Sequence, residues 1–85
     1  MRNAQKKERT FSTSDLYLSA ALYALGASPI SINKKVQSRV VFIFLDTDEL
    51  MVNVGLYWCK ALKIEPQQLF AALKALKSRL YEEAL

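Results

Sequence analysis

The sequence predicts a single small α+β domain with its elements in the order helix, strand, strand, helix, helix. Three observations carry this. Residues 39–51 (RVVFIFLDTDELM) run apolar from Val40 to Leu45 and then turn, within one residue, into the start of a helix. Residues 11–27 (FSTSDLYLSAALYALGA) and the chain after Pro66 have the marks of helices at either end. Between the first helix and the apolar run, Ile30 and Ile32 alternate with Ser31 and Asn33, the pattern of a half-buried strand.

The first helix opens near Ser12, with Asp15 three residues on in the form of a capping box; Thr13 is an alternative cap. With Ser12 as the cap, Phe11 and Leu16 occupy the staple positions. Gly26 marks the end, since glycine enters the left-handed region past a helix terminus without penalty. Only Ser19 is plainly polar in between, so this helix needs cover on more than one side.

A hairpin follows. Its loop, Lys34 to Ser38, lacks a tight Asn-Gly turn. The second strand, Arg39 to Leu45, points Val41, Ile43 and Leu45 one way and Val40, Phe42 and Phe44 the other, so both faces want cover. The next helix is capped by Asp46 with Glu49 three residues later, and Leu45 and Leu50 form a staple pair. Leu50, Val54, Tyr57, Trp58 and Ala61 recur at helical spacing. Gly55 costs that helix about 1 kcal/mol against alanine, which implies a close backbone approach. The last helix starts at Pro66, with a core stripe of Leu69, Leu73, Leu76 and Leu80 widened by Phe70 and Tyr81.

Composition narrows the function classes. At 52% apolar and 24% charged, the 85 residues are those of a globular chain. So small a domain has a thin margin of stability and usually adds disulfides, a metal or a partner subunit. A single cysteine, Cys59, cannot form an internal disulfide, and with no histidine it is a poor start for a zinc site. No metal or cofactor is expected. No histidine base and no glycine-rich phosphate loop are present; capping accounts for Asp15, Asp46, Asp48 and Glu49. An enzyme is not expected. No run reaches the roughly 18 apolar residues of a membrane span. The N-terminus MRNAQKKER has no apolar core, so the cytoplasm is the default compartment.

What remains is association. A two-stranded hairpin is marginal in water, and the strand at 39–45 is an unblocked edge if left alone. Pairing it with a second copy would extend the hairpin across a two-fold axis, so a homodimer is expected, with Tyr17, Ala21, Ala24, Val40, Phe42 and Phe44 at its interface. The competing arrangement is a monomer whose helices wrap the hairpin while residues 59–64 (CKALKI) add a third strand. The net charge of +4 is concentrated in two places. Residues 1–10 form a basic arm, expected to be disordered, with Arg2, Lys6, Lys7 and Arg9; the hairpin loop carries Lys34, Lys35 and Arg39. These seven are the candidate nucleic-acid contacts; the competing reading is a solubilising tail and a solvated loop. Lys74, Lys77 and Arg79 read as a solvated helix face. The leading function is a non-catalytic, homodimeric interaction module for an unidentified partner, and the alternative is a small nucleic-acid-binding protein.

Three ordered motifs, FSTSDLYLSAAL, VVFIFLDTDEL and EPQQLFAALKALKSRLY, resemble the signatures of a small bacterial and phage-associated family, a domain of unknown function of the fifty-six fifty-nine type. The family's Thr-Ser-Asp-Leu-Tyr-Leu start is matched by Thr13 to Leu18, its aromatic strand leading into Asp-Thr by Phe42 to Thr47, and its Leu-Lys-Ser-x-Leu-Tyr close by Leu76 to Tyr81. The resemblance spans residues 11–81. The chain departs in its longer hairpin loop and at Glu65, where the family carries aspartate before the proline. The resemblance brings no activity; it implies a short, free-standing bacterial or mobile-element protein.

Overall fold

In a computed structural model, residues 9–34 and 40–83 are described. The elements run β1 (Thr10–Thr13), α1 (Leu16–Ala24), β2 (Ser31–Asn33), β3 (Val41–Leu45), α2 (Asp48–Trp58) and α3 (Pro66–Glu83). The chain is α+β as expected, but a strand comes first, and this strand changes the sheet. β1 pairs antiparallel along one edge of β3, with Phe11 opposite Phe44 and Thr13 opposite Phe42. β2 pairs antiparallel along the other, with Ile32 opposite Phe42. The strand order is β1-β3-β2. β3 is therefore the central strand, not a free edge, and the third strand comes from residues 10–13 rather than 59–64.

Residues 9 and 10 are accordingly not part of a disordered arm. Thr10 lies in β1, and the Arg9 carbonyl accepts from the Asp46 N–H at 2.9 Å, carrying the ladder one step past Leu45. Thr10 to Thr13 alternate exposed and half-buried, the period of a strand with one covered face. The register puts Phe11, Thr13, Ile32, Phe42 and Phe44 on that covered face. Thr10, Ser12, Ser31, Asn33, Val41, Ile43 and Leu45 share the other. Hydroxyl and amide side chains on the outer strands flank a half-buried Val41 and Ile43 there, so this face meets water on mostly polar terms.

Each helix cap follows from a local hydrogen bond. Asp15 caps α1, its Oδ1 accepting from the N–H groups of Tyr17 and Leu18 at 3.0 and 3.1 Å. Thr13 Oγ1 accepts from the Asp15 N–H at 3.1 Å, so Ser12 and Thr13 lead into the cap instead of forming it. α1 ends in a Schellman motif: Ala27 N–H donates to Leu22 O and Gly26 N–H to Tyr23 O, both at 3.0 Å, with Gly26 at φ 108°. Thr47, not Asp46, caps α2 through its Oγ1, which accepts from Leu50 N–H at 3.0 Å. Asp46 is held in the β1–β3 ladder by its own backbone. Glu65 caps α3, its Oε1 accepting from Gln68 N–H at 2.9 Å, and Pro66 takes the first helical position.

The core lies between the covered sheet face and the helices. Leu18 and Leu22 of α1, Leu50 and Val54 of α2, and Ile32, Phe42 and Phe44 of the sheet form one cluster. α1 contacts α3, α2 and β1, which is the cover its nearly all-apolar circumference requires. Ser19 is fully buried there, and its hydroxyl donates to the Asp15 carbonyl at 2.9 Å. From α3, Ala72 and Leu76 are buried, while Leu69, Leu73 and Leu80 are half-buried. Phe70 and Tyr81 do not widen that stripe; they are 64% and 69% exposed.

α2 also ends in a Schellman motif, with Ala61 N–H donating to Leu56 O at 2.9 Å and Lys60 N–H to Tyr57 O at 3.0 Å. Lys60 holds the left-handed position at φ 64°, where an L side chain costs about 1 kcal/mol or more. Lys60→Gly is therefore expected to raise the unfolding free energy by about 0.5 kcal/mol after the glycine's extra chain entropy is counted. Urea denaturation of the two proteins at one concentration measures it, and an unchanged or lower midpoint refutes the left-handed cap.

Candidate interaction surface

The sheet brings together few of the expected interface residues. Phe42 and Phe44 are 2% and 0% exposed, and Ala21 of α1 is 3% exposed. These three serve the chain's own core and cannot also meet a partner. Their apolarity was the argument for an exposed strand edge, and β1 removes it by occupying that edge. Val40 and Ala24 are half-buried; of the six, Tyr17 alone is largely exposed, at 64%.

The candidate nucleic-acid contacts are divided. Arg2, Lys6, Lys7, Lys35 and Arg39 lie outside the described residues. Arg9 and Lys34 are exposed but lie beyond opposite ends of β3, next to Asp46 and to Val40 respectively. At about 3.3 Å per strand residue they are roughly 20 Å apart. Arg9 Nε also lies 3.9 Å from Asp46 Oδ2, so part of its charge is answered within the chain. These two do not form one basic patch. Arg79 is likewise engaged, its Nη1 donating to the Pro29 carbonyl at 3.4 Å.

Apolar surface is the dominant feature instead. A groove of about 430 Å³ opens where α1, the end of α2 and α3 meet. Tyr17, Ala20 and Ala21 of α1 line it, with Tyr57 and Lys60 at the end of α2, Leu62 and Ile64 of the following loop, and Leu69, Phe70 and Leu73 of α3. A second cleft of about 360 Å³ lies at the other end of α1, between its C-terminal turn, Leu45 and the first turns of α2. Outside the grooves, α2 exposes Met51, Val52, Leu56 and Trp58. Cys59, just past the last turn of α2, is also exposed, as a free thiol.

Tyr57 ties these features together. Its ring packs edge-to-face on Trp58, centroids 5.1 Å apart and planes at 85°. Burial pushes its phenol above the ordinary 10.0, and the Asp15 carboxylate adds to the rise. Among the described residues, no three His, Cys, Asp or Glu side chains gather into a metal-binding group. No described helix is long and apolar enough to cross a membrane.

The described surface of this small α+β chain is marked by exposed aromatic and aliphatic side chains. The chain belongs to the family Domain of unknown function (DUF5659), whose model matches residues 8–82. No curated protein and no solved structure matches the chain.

The Tyr57 shift carries a pH dependence. The folded chain holds the phenolic proton more tightly than the unfolded one, so stability is lost as pH rises from 10.0 through the higher folded value. Tyr57→Phe should flatten the alkaline fall in unfolding free energy. Chemical denaturation across an alkaline pH series measures this, and an equally steep fall in the variant contradicts it.

Proposed function

We propose that the chain is a non-catalytic interaction module that works as a homodimer. The observation that carries this reading is a surplus of apolar side chains. Eleven apolar residues form the buried core, yet ten large ones, each at least 37% exposed, stay on the surface of the described residues. Scattered exposed apolar residues are ordinary, but here four fall on one short helix and two more, Tyr17 and Phe70, line one groove. A chain of this length has little free energy in reserve, and a second copy that covers such surface adds to it.

Reading the module as non-catalytic rests on the sequence. It has no histidine, and its acids at helix starts are placed to cap helices or face their positive ends. A bacterial or mobile-element setting, as the family resemblance implies, suits such a module, and the cytoplasm is the compartment proposed for it.

Sedimentation equilibrium at micromolar concentration tests the proposal. A species of twice the 9.7 kDa chain mass is expected. A 9.7 kDa species throughout refutes the homodimer.

A further inference from the structure

α2 is apolar on its buried side and on its solvent side as well. Leu50 and Val54 are buried, and Asn53 and Tyr57 half-buried, so at 100° per residue the opposite side carries Met51, Val52, Gly55, Leu56 and Cys59, with Trp58 at its margin. The large members of this face are 38% to 61% exposed. An outward helix face ordinarily carries charge. Here charge is confined to the ends, with Asp48 and Glu49 in the first turn and Lys60 and Lys63 just past the last.

Gly55 sits in the middle of this face. A Cβ built there meets nothing within 4 Å, so no neighbouring element of the chain needs the missing side chain. A glycine at mid-helix lowers helix propensity, and no contact among the described residues offsets that loss. The missing Cβ is of use only to something that approaches from outside.

We propose that this face is the seam between two copies of the chain, with their α2 helices crossing antiparallel at Gly55. The proposal rests on the homodimer reading and says where that dimer closes. The occupant is a second copy because the face is complementary to itself. Gly55 lies close to midway between the acidic pair and the basic pair along the chain. A two-fold axis through it brings Asp48 and Glu49 of each copy beside Lys60 and Lys63 of the other. The antiparallel helix dipoles reinforce this arrangement, and the bare glycines allow the backbones to come close. Met51, Val52 and Leu56 then cover one another instead of meeting water.

Sedimentation equilibrium of the full chain and of exposed-face variants, with circular dichroism to confirm folding, decides the matter. Leu56→Glu and Val52→Glu should each abolish the dimer and leave the monomer folded, since neither side chain is in the core. Gly55→Ala should move two readouts in opposite directions: a higher melting temperature for the dilute monomer, and a dimer about tenfold weaker or more. Reversing the acidic pair (Asp48→Lys with Glu49→Lys) should weaken association, and reversing Lys60 and Lys63 to Glu in the same chain should restore it. A dimer that survives the Val52, Leu56 and Gly55 variants but is lost in Phe70→Glu or Tyr17→Glu overturns the seam and leaves the homodimer standing. A wild-type chain that is monomeric throughout overturns both.

Discussion

The structure depends on β1 lying along β3. Without that pairing the hairpin would hold an open edge, Phe44 and Phe42 would have no strand beside them, and the chain would enter α1 from no fixed direction. With it, the sheet has three strands, enough for a hydrophobic face to be stable when helices cover it. The Arg9–Asp46 backbone bond extends the ladder to the point where Thr47 caps α2, so one pairing sets the start of two helices. Asp15 follows β1 by only one intervening residue, Ser14, and α1 is directed from there across the sheet face.

Closing the sheet from within moves the apolar surplus elsewhere. A free β3 would have put it on a strand edge, the site of backbone pairing and uncontrolled aggregation. Most of it lies instead on helices, whose backbone hydrogen bonds are already satisfied and whose contacts are made by side chains alone. The two special backbone positions of α2 make the same point. Lysine stands at the left-handed cap, where glycine would be relaxed, and glycine stands five residues earlier, where the helix gains nothing from it. Stability of the single chain does not account for that arrangement; the seam proposed above would account for the glycine.

Much of the fold was legible in the residues, and the failures have physical causes. Gly26 and Pro66 were read correctly because each has a restricted conformational role that tertiary context does not change. The apolar circumference of α1 correctly implied cover on several sides. β1 was missed because Ser12-Thr13-Ser14-Asp15 offers several side-chain caps, and the capping pattern masked a period-two alternation only four residues long. Asp46 was preferred to Thr47 on the same local grounds. Only pairing with Arg9, distant in sequence, removes Asp46 from the helix. The exposure of Phe70 and Tyr81 was illegible because helical spacing places a residue on a face, and only packing decides how wide the covered face is. Gly55 implied a close approach of backbone, and the described residues supply none: a Cβ there meets nothing within 4 Å.

Amide hydrogen exchange followed against protein concentration tests most directly whether the chain completes its own sheet and leaves only its helices to associate. Protection of the Val41 to Asp46 amides should be the same in dilute monomer and in concentrated protein, because both neighbours of β3 belong to the same chain. Protection that appears in these amides only at concentrations where chains associate would show that β3 takes its partner from a second copy, and would contradict the account.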